Sequence, residues 1–348
     1  MATTVSVPKR ELPIQEIKWY DAWIRWEKGS KEVYNNNDES GDDDNEEDEQ
    51  PPVPTDTYYY EHGNIQLQID GFPSDSEVIW TSTGLTIWRS SSYLCDWLVE
   101  NLLPLSKSQQ NQHQAPQDNS SNNNNNGNLR VLELGSGLGR CGILAAHLLA
   151  SSSSPASSSS DGNNSDSSNN INDDDACCYR RRHRRHEVVL TDGDTDTLSQ
   201  LRANVKQNLN NVKNVTVSCH QLVWGKETSK KFLQQHFAAN GKQQKFDLII
   251  GSDLLYVPNV IDELFETVVE LLSSNNNNNS ESSKFIMAHC ARRHGNKVTL
   301  DMILTAATKV GLSYTLLLDD PDIVDDIYLY SFQHRNQNHR QQQPNEDE

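Results

Sequence analysis

The stretch VLELGSGLGRCG, residues 131–142, decides how the chain folds. Val131 and Leu132 lead through Glu133 and Leu134 into glycines at 135, 137, 139 and 142. Apolar residues then resume at Ile143, Leu144, Ala145, Ala146, Leu148 and Leu149. A short apolar run that breaks into glycines and resumes at helical spacing is the opening strand–turn–helix unit of a nucleotide-binding sheet. Glycine is needed in such a turn because side chains would hold the backbone away from a ligand, and because the turn calls for positive φ.

The spacing admits two ligands. Counted from Gly137, GLGRCG satisfies G-x-G-x-x-G, the dinucleotide fingerprint in which a helix N-terminus receives a pyrophosphate. Counted from Glu133, ELGSGLG is E-x-G-x-G-x-G, which resembles the turn of S-adenosylmethionine (SAM) methyltransferases, whose cofactor has no phosphate and ends in an amino acid. The glycines alone leave both open, together with a tight turn that binds nothing.

Much of the 348-residue chain cannot build a core. Asn- and Ser-rich runs at 106–127, 151–170 and 273–283 and the acidic stretch 38–49 offer too little apolar surface to offset the entropy of ordering. What is left is one domain of ordinary size. The net charge of −19 is concentrated in the acidic stretch and the last residues, which argues against nucleic acid and for a cationic protein partner or a solvated linker. The six cysteines, at 95, 141, 177, 178, 219 and 290, form no C-x-x-C pair, which disfavours a metal site or a disulfide framework. No apolar leader or membrane-spanning run appears, so a soluble protein of a reducing compartment, the cytoplasm, is expected. The cluster RRRHRR at 180–185 is a solvated collar or a nuclear import signal.

Along the chain, 12–28 places Ile17, Tyr20 and Ile24 on one helical face and Trp19, Trp23 and Trp26 on its neighbour. Residues 60–69 alternate as one half-buried strand, and after Trp88 a serine cluster caps a helix bearing Tyr93, Leu94, Trp97, Leu98 and Leu102. Strand one spans 130–134, and strand two, 188–190, ends at Thr191-Asp192. An acidic side chain there, beside the glycine turn, suits the ribose hydroxyls of an adenosine, although Asp192 or Asp194 could instead cap the helix 197–209. Strand three is 215–218. Trp224, just beyond it, is placed to lie on an adenine face or to serve as core. Strand four, 246–251, runs into Ser252, Asp253 and Tyr256 and then a helix over 260–272. Strand five at 285–288, a helix over 296–310 and strands at 312–318 and 327–332 complete the pattern. So short a connection makes the last two antiparallel.

This order resembles the seven-strand SAM-dependent methyltransferase arrangement, a Rossmann-like α/β sheet parallel except for a C-terminal hairpin strand. More narrowly, the chain resembles methyltransferase family 16, the non-histone protein-lysine methyltransferases related to the methyltransferase-like 21 group and the elongation-factor-2 and calmodulin-lysine enzymes. The likeness spans about 80–333 and rests on TGLTIW (83–88), ELGSGLG (133–139), LTD ending at Asp192, LVWG (222–225) and DLLY (253–256). It leaves 1–79 as an N-terminal extension and 334–348 as a polar tail. It implies that Trp88, Glu133, Gly135, Ser136, Gly137, Asp192, Trp224 and Ser252 contact SAM, Ser252 standing where a small nonpolar residue is common. Asp253 and Tyr256 would then face the target amine. It implies no metal, a monomer, and a protein substrate such as a translation factor, a chaperone or calmodulin. Another acceptor, such as a protein histidine or a small molecule, or a silent binding role on the same fold, are the alternatives.

Overall fold

The computed structural model describes residues 53–74, 76, 82–111, 128–151, 186–239, 242–274, 283–291, 297–320 and 326–335. The aromatic segment 12–28, the acidic stretch, residues 152–185 with the arginine cluster, and the tail beyond 335 lie outside the described residues. In chain order the elements begin with a hairpin, β1 (Asp56–His62) and β2 (Ile65–Gly71), a 3-10 turn at Thr83–Leu85 and helix α1 (Ser90–Asn111). Next come β3 (Arg130–Glu133), α2 (Arg140–Ser151), β4 (His186–Asp192), α3 (Thr195–Leu209) and β5 (Val215–Gln221). Helix α4 (Lys226–His236) and the two-residue strands β6 (Ala238–Ala239) and β7 (Lys242–Gln243) precede β8 (Leu248–Ser252). The chain continues with α5 (Ile261–Leu271), β9 (Lys284–Cys290), α6 (Leu300–Lys309), β10 (Leu312–Asp320) and β11 (Ile327–His334).

The main sheet has seven strands in the order β10-β11-β9-β8-β3-β4-β5. Neighbours from β9 to β5 pair in parallel, and β11 runs antiparallel between β9 and β10. Its central strands read as continuous apolar runs because both faces are covered. Val131, Val188, Leu190, Leu248 and Ile250 point into a core shared with α1, α2 and α3. Leu132, Val189 and Ile249 point the opposite way, into a core shared with α4, α5 and α6.

The sequence expectation of one strand over 60–69 is corrected. Gly63, at φ +58, turns the chain back on itself, and His62 pairs with Ile65. The hairpin is more than an appendage, since Ile65, Leu67 and Ile69 are buried in the same core as α1 to α3. Burying three such side chains contributes about 1.5–3 kcal/mol each. Asn204 and Asn208 of α3 clip its backbone by donating to Asp70 O and Gln68 O, at 3.0 and 2.7 Å. Helix α1 also runs to Asn111, into the stretch expected from 106 to be low-complexity, and α4 and the small β6–β7 ribbon were not anticipated.

Strand order reverses between β3 and β8, since β4 and β5 follow on one side and β9 and β11 on the other. In open α/β sheets the crevice beyond the carboxyl ends of the strands at such a point takes the ligand. The three Asn- and Ser-rich stretches, by contrast, each leave the end of a helix and return at the start of a strand: α1 to β3, α2 to β4 and α5 to β9.

Candidate active site

A cleft of about 660 Å3 opens beyond the carboxyl ends of β3, β4 and β8. Its floor is the glycine turn. Gly135, Gly137 and Gly139 have φ of +54, +53 and +87, a region that costs other residues about 1–2 kcal/mol. Two of these glycines also leave space. A Cβ on Gly137 would stand 2.9 Å from Gly84 O, and one on Gly135 would stand 2.7 Å from Leu254 Cδ2 and 3.5 Å from the Trp224 ring. The turn is therefore pressed between the 83–88 loop and the residues that follow β5 and β8.

Hydrogen bonds hold it there. Ser136 N donates to Thr191 O at 2.8 Å, Thr191 N returns to Ser136 Oγ at 3.0 Å, and Thr191 Oγ1 donates to Glu133 O at 2.7 Å. Gly137 N donates to Asp192 Oδ2 at 3.0 Å, while Asp194 N donates to Asp192 Oδ1 at 3.1 Å. Burial raises the carboxyl of Asp192 above its usual range, opposed by these two N–H donors. The capping role left open between the two aspartates falls to Asp194, whose Oδ1 accepts from Thr197 N at 2.8 Å at the start of α3. Asp192 is left facing the cleft.

Glu133 lies beneath the turn at 2% exposure, its Oε2 accepting from Gly142 N at 3.0 Å in the first turn of α2. Burial pushes its carboxyl up to about 8 against the hydrogen bonds from Ser136 and Gly142. A cationic group arriving in the cleft would favour the ionised form.

The opposite wall comes from the end of β8. Asp253 takes a left-handed φ of +53, which Asp tolerates better than most residues and which marks strain held in place by its surroundings. Asp253 N donates to Ala288 O at 2.9 Å, and Cys290 N donates to Asp253 Oδ1 at 3.2 Å, so β9 fixes the side chain. Tyr256 is 37% exposed at the rim, its hydroxyl 3.1 Å from Thr83 Oγ1. Trp88 Nε1 donates to Thr83 O at 3.0 Å, and Gly225 N donates to Thr267 Oγ1 at 2.7 Å, which fixes the bend after Trp224.

All ten residues singled out in the sequence, Trp88, Glu133, Gly135, Ser136, Gly137, Asp192, Trp224, Ser252, Asp253 and Tyr256, line this one cleft. Sequence reasoning missed Thr83, Gly84, Asn259 and Glu263, which line it too. The first two sit inside the quoted TGLTIW motif. Glu263 is one of two acids opening α5, and only the fold separates it from its neighbour Asp262.

The charge of the lining discriminates between ligands. Asp192, Asp194, Asp253 and Glu263 contribute carboxylates, Glu133 a buried carboxyl that ionises when a cation arrives, and Arg140 is the one basic residue among the lining residues. Such a field repels a pyrophosphate and attracts a cation. The apolar and aromatic walls at Leu222, Val223 and Trp224, and the cradle at Gly135 and Gly137, suit a purine carried on a ribose. The dinucleotide reading of the turn is set aside on that ground.

No relative is found among curated proteins. Solved structures that match include the SAM-dependent methyltransferase from Agrobacterium tumefaciens, at 8% identity over 82% of this chain and 72% of that one, TM-score 0.41. A Streptococcus mutans structure matches at 11% identity over 80% of this chain and 55% of its own, TM-score 0.42. The O-methyltransferase from Bacillus cereus, in complex with SAH, matches at 16% identity over 74% and 97%, TM-score 0.34. A family model described as lysine methyltransferase matches residues 74–159 and 177–306. That match takes in the glycine turn, Asp192, Trp224 and the Asp253 loop, and covers more than half of the chain, which therefore belongs to methyltransferase family 16, the lysine methyltransferases.

Proposed function

We propose that the protein transfers a methyl group from SAM to a lysine side chain of a non-histone protein. The observation that carries this reading is the division of one cleft into two walls. A glycine turn with Asp192 and Trp224 forms one, and Asp253 with Tyr256 forms the other. The cofactor is SAM, which when bound supplies a methyl carbon activated by a positively charged sulfur.

The task left to the chain is placement and charge. Gly135 to Gly137, with Glu133 beneath them, would receive the amino-acid end, Asp192 the ribose hydroxyls, and Trp224 the adenine. Trp88 and Ser252 close the same cavity. A free lysine has a pKa near about 10.4, so it arrives protonated and must lose a proton before its lone pair can attack. Asp253, 7% exposed and anchored by Cys290 N, offers the charge that draws the ammonium inward. The apolar neighbours Leu254 and Val257 favour the neutral amine once it is inside. Tyr256, tied to Thr83 across the rim, presents its ring at the entrance.

Two measurements test this. Calorimetry is expected to show SAM and SAH binding the purified chain and NAD failing to bind. Tight NAD binding without SAM would end the reading. Incubation with tritiated SAM and a lysate, followed by identification of the labelled residue, is expected to give a lysine in a protein. Label confined to histidine or to small molecules would keep the cofactor and reject the acceptor.

A further inference from the structure

Two thiols meet at the back of the cofactor cleft. Cys95, in the middle of α1, and Cys141, in the first turn of α2, are 0% and 1% exposed, and their sulfurs lie 3.8 Å apart. Forty-six residues separate them in sequence, so the contact is made by the packing of α1 on α2. Cys141 also lines the cleft, immediately after the glycine turn, and its Sγ donates to Ser91 O at 3.5 Å. The Sγ–H of either residue can serve the other as donor. Burial opposes ionisation of both, but the hydrogen bond with Cys141 and the neighbouring Arg140 guanidinium, which donates to Ser92 Oγ at 3.0 Å, hold the Cys95 thiol below its ordinary range, whereas that same bond and burial raise Cys141 well above it, so the thiolate of the pair is Cys95. The reactivity of cysteine belongs to the thiolate and rises beside a cation.

We propose that Cys95 and Cys141 form a redox-modifiable dithiol that hydrogen peroxide converts to a disulfide in competition with the cofactor. The steps balance. The thiolate of Cys95 attacks one peroxide oxygen, an S–O bond forms, the O–O bond breaks, and the hydroxide that leaves takes the proton of Cys141 and becomes water. Cys141, its proton removed, then attacks that sulfur, forming the S–S bond and expelling the second oxygen as hydroxide, which is protonated to water. Two thiols and one peroxide give one disulfide and two waters, the sulfurs being oxidised and the peroxide reduced.

The geometry asks for little. The sulfurs must close from 3.8 Å to about 2.05 Å. Closing that gap draws the wall residue Cys141 toward α1 and so reshapes the cleft behind Gly139 and Arg140. Cys141 is a lining residue, so a ligand seated in the cleft would cover the approach to both thiols. If the ligand shifts the dithiol–disulfide equilibrium toward the reduced form, oxidation weakens the ligand by the same factor, because coupling between two equilibria is reciprocal. The dithiol itself does not depend on the proposed function. Only the competition with SAM rests on it.

The test uses the full reduced chain, treated with hydrogen peroxide, quenched with N-ethylmaleimide, and digested with chymotrypsin. Cleavage after Leu144, Leu148 and Leu149 separates Cys141 from Cys177 and Cys178. The expected product is a linked pair of peptides carrying Cys95 and Cys141, two hydrogens lighter than the sum and parted by dithiothreitol. It should be absent from both Cys95→Ala and Cys141→Ala. Two variants are used because either could disturb the core, and a folded one suffices. Saturating SAM is expected to slow formation of the link at least tenfold, and the oxidised chain to bind SAM at least tenfold more weakly. Peroxide that modifies other cysteines while leaving 95 and 141 unlinked overturns the proposal. A link that forms at the same rate with SAM bound overturns the competition. If calorimetry on the reduced chain shows no SAM binding, the functional reading fails instead, and the linked peptide in the absence of SAM still decides the dithiol.

Discussion

The two walls of the cleft are built differently. On the wall proposed for the cofactor Glu133, Ser136, Thr191 and Asp192 are buried or nearly so and joined by hydrogen bonds of 2.7–3.3 Å. On the wall proposed for the acceptor Tyr256 stands at the exposed rim, Glu263 is exposed, and the tie across the opening is a contact between the Tyr256 and Thr83 hydroxyls. A small cofactor of fixed shape is best served by a surface that needs no reorganisation. A side chain delivered by a whole protein needs an open approach. Changes on the first wall should therefore act through binding and stability, and changes on the second through turnover.

The largest expected effect is on the first wall. Gly137→Ala forces a left-handed alanine and places Cβ 2.9 Å from Gly84 O, for a combined cost on the order of 3 kcal/mol to the fold of the turn, and the displaced turn is expected to lose SAM affinity roughly tenfold or more. Calorimetry together with a melting curve reads it. Unchanged affinity would mean that the turn is not the cofactor floor. Asp192→Ala comes next. It leaves the Gly137 and Asp194 N–H groups and the ribose hydroxyls without their acceptor, at about 1–3 kcal/mol in SAM binding. A folded variant of normal affinity would leave Asp192 only a strut of the turn.

Asp253→Asn crosses to the second wall. Asparagine accepts a left-handed backbone and keeps an oxygen for Cys290 N, so the substitution removes mainly charge. Methyl transfer is expected to fall roughly tenfold or more while SAM affinity holds. Loss of SAM binding would move Asp253 to the other wall, and full activity would remove it from the acceptor.

A pH series sharpens the contrast. Glu133, raised from 4.5 to about 8 by burial, binds more protons folded than unfolded between those values. Its contribution to stability is full below 4.5 and is lost as pH rises through about 8. Melting temperature without ligand should decline across that window on its account, and Glu133→Gln should flatten the slope. A slope unchanged in the variant would assign it to other groups. The smallest effect is expected from deleting residues 151–175, which shortens a low-complexity connection and should change stability by no more than about 1 kcal/mol, with SAM binding intact. Loss of a cooperative melt would show that the segment is structural.

The strands were legible where both faces are covered, because FDLIIG and VLEL leave no other reading of so many adjacent apolar residues. The hairpin was not, since Tyr60 and the alternating Ile65, Leu67 and Ile69 read as one strand although the alternation changes phase between Tyr60 and Ile65. The Gly63-Asn64 pair was the overlooked signal. Helix α4 escaped because KETSKKFLQQH buries little beyond Ser229, Phe232 and Leu233, too few positions to set a period. At the site, glycines and motif residues could be read from spacing. The division of labour between Asp192 and Asp194 could not, because both stand at a strand's end ahead of a helix and only the direction of each carboxylate separates them.

The polar stretches between α1 and β3, α2 and β4, and α5 and β9 are all anchored at the starts of strands, whereas the cleft sits at the ends of those strands. One edge of the sheet thus takes length and composition freely while the other holds the chemistry. A fluorophore, an affinity handle or a tether to a solid support placed in any of the three would report on or immobilise the protein from its far side, leaving the way into the cleft clear for a partner as large as another protein.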